Sequence, residues 1–151
     1  MIVEPRFVEI DMMQVTHHSK YWIWFEESRW NFLEKILEIS IKTFREQEIL
    51  MPVVDCECKY KKPVLWNKPV ILETKLEIIE SSRFNFVYEL FSKENRNLIF
   101  STASTKHVFI EKDFSLKLQM PSFIKDKVNE MKVKKPFAFF SSVPEVSPIL
   151  G

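Results

Sequence analysis

Four successive segments alternate apolar and polar side chains, and this pattern constrains the fold more than any other feature of the chain. Alternation points every second side chain to the same face of a strand, which is typical of antiparallel sheets with one buried face. Short polar connections at Ser81-Ser82 and at residues 94–97 link the last three segments as hairpins. The sequence therefore predicts antiparallel strands within residues 52–63, 70–79, 83–92 and 98–110.

Glycine is almost absent, since Gly151 is the only one in 151 residues. Glycine-rich phosphate loops and dinucleotide-binding motifs are therefore excluded. A turn that needs a positive backbone φ must use another residue, and asparagine tolerates that conformation best. For the connection at 94–97 we expect an asparagine to take any such position.

The segment before the four strands has the spacing of a long helix. Residues Ile2 to Ile10 predict a first strand, and residues 11–18 predict an irregular loop that ends at Ser19, a candidate N-cap. From Lys20 to about Ile39 there is no proline or glycine, and apolar residues recur at helical intervals. These apolar positions are Tyr21, Trp24, Phe25, Phe32, Leu33, Ile36 and Leu37.

Two shorter helices are predicted, at Ile41 to Gln47 and at about Ser122 to Met131. Residues 132–151 contain three prolines and no periodicity, so we predict an extended tail there. Part of this tail should pack on the body or on a second subunit, because it carries Phe137, Phe139 and Phe140. The prediction is one α+β domain over residues 1–131, followed by the tail at 132–151.

Charge and composition narrow the classes of partner. Lys and Arg number 22 and Asp and Glu number 21, and the net charge of +1 argues against a dedicated nucleic-acid binder. Cys56 and Cys58 are too few for a disulfide framework or a thiolate metal site, so we predict free thiols and no metal. No apolar run is long enough to span a membrane, and no signal pattern opens the chain. We expect a cytoplasmic protein without a membrane partner.

The groups best suited to catalysis lie between residues 11 and 29. Asp11 lies in the loop before the long helix, His18 follows where that helix begins, and Tyr21 lies in its first turn. A helix start offers unpaired N–H groups that can hold a developing oxyanion, while a nearby carboxylate drives attack on a carbonyl. The alternatives are a turn-forming role for Asp11 and core packing for Tyr21.

These residues resemble the hot-dog-fold acyl-CoA thioesterases of the 4-hydroxybenzoyl-CoA thioesterase family. The resemblance covers about residues 6–121 and includes the Asp-x6-His-x2-Tyr spacing. Its other parts are the helix start Trp24-Phe25-Glu-Glu-Ser-Arg29, and the segments Met51-Pro-Val-Val54, Tyr60-Lys-Lys-Pro63 and Thr105-Lys-His-Val-Phe109. It implies a sheet of about five antiparallel strands wrapped around one long helix, and dimers or tetramers that place the site between subunits.

Site roles follow from the resemblance position by position. Asp11 matches the general base or nucleophile, His18 the residue whose N–H polarises the thioester carbonyl, and Tyr21 the aromatic at the helix start. Ser82, Arg83 and Lys106 match strand positions where relatives meet the nucleotide. The chain departs from its relatives in carrying Met12, Met13 and Gln14 where small residues are common, and Lys20 where asparagine is common. Glu26 and Glu27 on the helix are the alternative catalytic acids.

A basic segment offers a further contact for coenzyme A. Residues 58–72 hold four lysines and no acid, and of these Lys61 and Lys62 are the predicted phosphate ligands; the alternative is a solvated strand face. The resulting prediction is a hydrolase of acyl-CoA thioesters without a cofactor, since coenzyme A belongs to the substrate. An acyl-carrier-protein thioesterase and a non-catalytic acyl-binding protein of the same fold are the alternatives.

Overall fold

The computed structural model describes residues 1–77 and 82–141. The described helices are α1 (Lys20–Lys35), α2 (Ile41–Glu46) and α3 (Ser122–Lys134), and 3-10 turns lie at Phe7–Glu9 and Pro136–Ala138. The described strands are β1 (Ile2–Val3), β2 (Ile49–Leu50), β3 (Val53–Tyr60), β4 (Val70–Glu77), β5 (Arg83–Ser92), β6 (Ile99–Val108), β7 (Ile110–Glu111) and β8 (Phe139–Phe140).

The main sheet has the strand order β1-β4-β5-β6-β3, and these neighbours pair antiparallel. The short β8 adds to β4 in parallel, and β2 pairs with β7 in a separate ribbon. All four predicted strands are present, and the α+β prediction is confirmed. Residues 78 and 79, at the end of the second predicted segment, and Ser81 in the first hairpin lie outside the described residues.

Helix α1 lies across one face of the sheet, here called the inner face, and its apolar side fills the core. Phe25 packs on Tyr88 with ring centroids 4.9 Å apart, and Phe32 meets Phe86 edge to face at 5.7 Å. Leu33 and Phe86 are fully buried. Each large ring removed from water stabilises the fold by about 1.5–3 kcal/mol, so the helix and the three central strands form one core.

Strand β3 lies at the edge of the main sheet and is poorly covered. Among the described residues only β6 pairs with it, and seven of its eight residues are exposed. Val54, Cys56, Cys58 and Tyr60 share the inner face, whereas Asp55, Glu57 and Lys59 alternate on the outer face. An edge strand with one apolar face and unpaired backbone groups is a surface that proteins normally cover.

The first strand is shorter than predicted. Only Ile2 and Val3 pair with β4, and Phe7–Glu9 forms a 3-10 turn. Pro5 accounts for the difference, because it has no N–H to give to the ladder and it fixes its own φ. The prediction of a strand over Ile2 to Ile10 was therefore wrong beyond Val3.

The helix boundaries also differ from the sequence patterns. Helix α1 ends at Lys35, and Glu38 takes a left-handed φ of 56° that stops any continuation to Ile39. Helix α3 runs to Lys134, so the first three residues of the predicted extended tail are helical. Phe139 is buried and Phe137 is 66% exposed. The predicted tail therefore packs on the body in part, through β8, and residues 142–151 lie outside the described residues.

Within residues 1–77 and 82–141, five residues take left-handed φ angles, and none of them lies at 94–97. The turn at 94–97 therefore needs no positive φ, and the expectation that asparagine would take such a position does not apply there. The five positions are Gln14 (64°), Glu38 (56°), Glu48 (53°), Asn67 (58°) and Phe114 (66°).

A chain of buried polar groups crosses the core beneath α1. Arg29 Nη1 lies 3.2 Å from Tyr88 Oη, which lies 2.8 Å from Thr105 Oγ1. Thr105 Oγ1 lies 2.9 Å from His107 Nε2, and His107 Nδ1 lies 3.2 Å from the Met51 carbonyl. A guanidinium only donates and a carbonyl only accepts. The hydrogen bonds therefore run in one direction, from Arg29 to Met51, when His107 is neutral and carries its proton on Nδ1.

Candidate active site

Asp11 forms the base of a tight turn that closes the segment before α1. Its N–H donates to the Val15 carbonyl at 2.9 Å, and its own carbonyl accepts from Gln14 at 3.0 Å. The carboxylate Oδ1 accepts from the N–H groups of Met13 at 2.8 Å and Val15 at 3.4 Å. These contacts are the ones expected if Asp11 serves to form the turn, which is the alternative given above for this residue. Oδ2 accepts no hydrogen bond from the described residues and stays available for chemistry.

The turn carries bulky residues where small ones are common in the thioesterase family that the sequence resembles, and the backbone geometry shows how they fit. Gln14 has a φ of 64°, a conformation that glycine adopts without strain and that other residues adopt at a cost. Met12 and Met13 lie at the tip and are 101% and 81% exposed. The turn is therefore compatible with bulky residues, which project away from the body.

The backbone N–H groups at the start of α1 are the oxyanion donors that the sequence predicts. Lys20 N–H donates to the His17 carbonyl at 3.0 Å, and the His18 N–H, which precedes the helix, has no acceptor among the described residues. Ser19 occupies the N-cap position without a side-chain cap bond, and its Oγ lies 2.8 Å from His17 Nδ1 instead. An unpaired N–H at the positive end of a helix dipole is suited to hold an oxyanion.

Two tyrosines connect the helix start to the end of β3. Partial burial and contact with Cys58 raise the pKa of Tyr60 to about 12, and its hydroxyl donates to the His18 carbonyl at 3.1 Å. Tyr21 packs edge to face on Tyr60 at 5.0 Å. Tyr21 is 3% exposed, and burial raises the pKa of its hydroxyl. Tyr21 therefore packs in the core next to the helix start, which is the core-packing role given above as the alternative for this residue.

Glu9 anchors the segment that leads into the Asp11 turn, and the sequence patterns did not single it out. Its carboxylate accepts from Arg6 N at 2.8 Å, from Arg6 Nη2 at 3.0 Å and from Trp24 Nε1 at 3.2 Å. Burial alone would raise the pKa of Glu9, but the bonds from Arg6 and Trp24 hold the pKa below its ordinary value. The Glu-x14-Trp spacing carried no signal, because only the fold brings the two side chains together.

Glu9→Gln should lower the free energy of unfolding by about 1–3 kcal/mol. The buried carboxylate that accepts charge-assisted hydrogen bonds from Arg6 and Trp24 is lost in this variant. Chemical denaturation at pH 7 measures the change. Glu4→Gln is the matched control, since Glu4 is exposed and close in sequence. Equal stability of the Glu9 and Glu4 variants would show that Glu9 does not anchor this segment.

The predicted coenzyme A ligands fall into two groups in one chain. Lys61 and Lys62 directly follow Tyr60, and both donate N–H groups to the Phe100 carbonyl, at 2.9 and 3.1 Å. They therefore lie at the His18 end of β3 with exposed side chains. The second group, Ser82, Arg83 and Lys106, lies toward the other end of that strand.

The separation of the two groups follows from the strand register. Tyr60 faces Ser101 on β6, whereas Asp55 faces Lys106, with Lys106 Nζ 3.6 Å from Asp55 Oδ2. The five-residue step from 101 to 106 corresponds to roughly 17 Å along the strand. A single chain thus brings Lys61 and Lys62 to the site of Asp11 and His18, and leaves the second group at a distance.

Other candidate chemistries find less support in the geometry. The rings of His17 and His18 lie 4.3 Å apart, yet within residues 1–77 and 82–141 no three His, Cys, Asp or Glu side chains form a cluster suited to a metal. Glu26 and Glu27 are exposed on the outer side of α1. No helix in these ranges has both the length and the apolar character needed to cross a membrane.

The fold points to a class of protein. An antiparallel sheet packed on one long helix is the architecture of the hot-dog fold. The model of the thioesterase-like superfamily matches residues 5–128, and the chain belongs to that superfamily.

Three similar proteins agree with this membership. The chain is 27% identical over 111 residues to YneP of Bacillus subtilis (strain 168), whose name describes a candidate acyl-CoA thioesterase, with 74% of this chain and 78% of that protein covered. It is 30% identical over 107 residues to a candidate esterase of Aquifex aeolicus (strain VF5), covering 70% and 80%. The DHNA-CoA thioesterase structure from Staphylococcus aureus superposes with a TM-score of 0.77 at 26% identity, covering 93% and 95%. The hot-dog fold and the thioester hydrolase class predicted from the sequence are confirmed.

Proposed function

We propose that this enzyme hydrolyses acyl-CoA thioesters, with Asp11 as general base or nucleophile and the His18 N–H as oxyanion donor. The observation that carries the proposal is the turn of residues 11–14 in the loop that leads into α1 at Lys20. It presents a carboxylate oxygen that accepts no hydrogen bond from the described residues, seven positions before the His18 N–H, which has no acceptor in the same part of the chain. Attack on a thioester carbonyl needs both groups, one to deliver the nucleophile and one to hold the negative charge.

The names of similar proteins favour coenzyme A as the thiol part of the substrate. One is described as a candidate acyl-CoA thioesterase and one as a DHNA-CoA thioesterase. Release of free thiol from a short-chain, a long-chain and an aromatic acyl-CoA tests the proposal directly. Turnover of at least one supports it. Binding of all three without turnover favours the acyl-binding alternative, and turnover only of acyl-carrier-protein thioesters favours the other alternative.

We further propose that Lys61 and Lys62 bind the phosphates of coenzyme A. Replacing both by alanine should raise KM several-fold at low salt and less at high salt, because ions screen such exposed contacts over about 10 Å at 0.1 M. Initial rates over a range of salt concentrations measure the effect. Lys125→Ala with Lys132→Ala, on α3, is the control pair. If the Lys61 and Lys62 double variant has the same KM as the wild type and the control pair at every salt concentration, the two lysines belong to a solvated face.

A homodimer through the β3 edge is the proposed assembly. The apolar inner face of β3 and its unpaired backbone edge are the surfaces that a second copy would cover. Sedimentation at micromolar concentration should therefore give at least a dimer. A single species of about 18 kDa under those conditions would contradict this proposal.

A further inference from the structure

The backbone around the proposed oxyanion donor is held by hydrogen bonds on both sides. The His17 N–H donates to the Glu9 carbonyl at 2.8 Å, and the His17 carbonyl accepts from the Lys20 N–H at 3.0 Å. The Ser19 N–H donates to His17 Nδ1 at 3.3 Å. Within the described part of the chain, the His18 N–H is therefore the one backbone donor from His17 to Lys20 that is left without an acceptor.

The His18 carbonyl is held by a side chain from the sheet rather than by the helix. It precedes α1, which begins at Lys20, and no backbone N–H of residues 1–77 and 82–141 donates to it. The Tyr60 hydroxyl donates to it instead, at 3.1 Å. A strand residue that lies 42 positions further along the chain thus restrains the peptide group that directly follows the donor.

Tyr60 can carry such a restraint because its own position is fixed. It is the last residue of β3, and the N–H of Lys61, which follows it, donates to the Phe100 carbonyl at 2.9 Å. Its ring meets the rings of Tyr21 and His18 edge to face, at 5.0 and 6.3 Å. The hydrogen bond from Tyr60 therefore connects the main sheet to the loop that precedes α1.

We propose that Tyr60 is a positioning residue, whose hydroxyl holds the His18 carbonyl so that the His18 N–H points toward the oxyanion formed from the thioester. The inference rests on the function proposed above. Rotation about the backbone bonds of His18 would turn its N–H away from the substrate, and a hydrogen bond to its carbonyl limits that rotation. Donors that are fixed before the reaction stabilise a developing charge without reorganising, and a misplacement of about 1 Å can cost roughly 10²-fold in rate. Tyr60 thus acts through His18 and not on the substrate.

Tyr60→Phe tests the proposal, because it removes the hydroxyl and keeps the ring that packs on Tyr21. The variant should lower kcat at least about fivefold and leave KM within about twofold, since a transition-state interaction is weakened while ground-state binding is not. Tyr60 is 45% exposed, so the melting temperature should change by less than about 2 °C. Initial rates of thiol release over a range of acyl-CoA concentrations, together with thermal melts, measure all three quantities.

Tyr88→Phe is the matched control for the loss of a phenol hydroxyl. The Tyr88 hydroxyl lies in the core, 3.2 Å from Arg29 Nη1 and 2.8 Å from Thr105 Oγ1. Its removal leaves buried polar groups without a partner, so this variant should melt at least about 2 °C below the wild type and keep its kcat. A purely structural role for Tyr60 would give the pattern expected of Tyr88, and a positioning role gives the opposite pattern.

Two further measurements isolate the hydrogen bond itself. Replacing Tyr60 by para-aminophenylalanine restores a donor at the same place on the ring, so this protein should regain most of the kcat that Tyr60→Phe loses. The NMR order parameter of the His18 amide reports the restraint without any substrate. It should fall in Tyr60→Phe and stay at the wild-type value in Tyr88→Phe.

Several results would overturn the positioning role while leaving the proposed function in place. In a wild type that hydrolyses acyl-CoA, a fall in the kcat of Tyr60→Phe of less than about fivefold overturns it. A raised KM at unchanged kcat overturns it as well and assigns the hydroxyl to substrate binding. An equal loss of kcat in Tyr88→Phe, or a para-aminophenylalanine protein as slow as Tyr60→Phe, also contradicts it.

Failure of the proposed function gives a different result. A wild type without turnover of any acyl-CoA contradicts thioester hydrolysis, and the role of Tyr60 in catalysis falls with it. The His18 order parameter then still decides whether Tyr60 restrains this peptide group. An order parameter that is equal in the wild type and in Tyr60→Phe overturns the restraint, whatever the rates are.

Discussion

Between pH 6.5 and pH 4 the free energy of unfolding is expected to fall by about 3 kcal/mol through His107 alone. Burial, with a smaller contribution from the positive charge of Arg29, lowers the pKa of His107 from 6.5 to about 4. The unfolded chain therefore binds the proton first as the pH falls. The stabilisation is complete above about pH 6.5 and is lost as the pH falls toward 4, in the direction expected for a histidine that is buried neutral.

The hydrogen bonds around His107 explain why protonation is costly. The Nδ1–H already donates to the Met51 carbonyl, and Nε2 accepts from Thr105. A proton on Nε2 would oppose the Thr105 donor and add a second positive charge near Arg29. Protonation would also destabilise the segment Met51-Pro52 that leads into β3, because the His107 ring is hydrogen-bonded to the Met51 carbonyl.

Comparison with His107→Asn measures this contribution. The variant keeps an N–H donor close to the Nδ1 position but has no group that titrates in this range. Denaturant unfolding from pH 7 to pH 4 should show the wild type losing its stability advantage over the variant as the pH falls. Carboxylates common to both proteins cancel in the difference. A difference that stays constant over this range would contradict a buried neutral His107.

The central strands could be predicted because their signal is local. Strand β5 follows the alternation from Arg83 to Leu90, where every second side chain is buried, and departs from it only at Phe91, where the register shifts. The prediction of the first strand failed from Pro5 onward, because a loose alternation of apolar residues does not show that proline lacks the N–H donor a strand needs. The end of α1 was misplaced for a similar reason: Glu38 adopts a left-handed φ that helical periodicity does not encode.

The residues of the candidate site also fall into those that a local pattern could locate and those that only tertiary contacts bring in. Asp11, His18 and Tyr21 lie within eleven residues, so local patterns could place Asp11 in the loop before α1 and His18 and Tyr21 near its start, while their roles came from the resemblance. Glu9 and Tyr60 reach the site through tertiary contacts with Trp24 and with the His18 carbonyl, which no local pattern reveals. The distance of Lys106 from Asp11 depends on strand register, and register was not available from alternation.

Asp11→Asn is expected to lower kcat at least about 10²-fold and to leave KM within a few-fold. The substitution is well matched to the structure. Asn keeps an Oδ1 that accepts from the Met13 N–H, so the turn stays intact, while the charge that activates water or attacks the carbonyl is lost. Binding of the substrate uses other groups, so the ground state changes little.

The chain supplies a close control for this variant. Asp113 forms a similar turn, with Oδ1 accepting from Ser115 N at 2.9 Å and with Phe114 at a left-handed φ of 66°. Asp113 is exposed and lies in the loop that follows β7, the strand that pairs with β2. Asp113→Asn should leave both kcat and KM as in the wild type, which separates the effect of a lost catalytic charge from that of a changed turn.

The most direct measurement is the rate of thiol release from the best acyl-CoA substrate by the wild type, Asp11→Asn and Asp113→Asn under identical saturating conditions. The proposed mechanism predicts turnover by the wild type and Asp113→Asn, and a rate at least about 10²-fold lower for Asp11→Asn. A near wild-type rate for Asp11→Asn would contradict the role of Asp11 and direct attention to Glu26 and Glu27. Absence of turnover in all three proteins, with acyl-CoA bound, would contradict acyl-CoA hydrolysis itself.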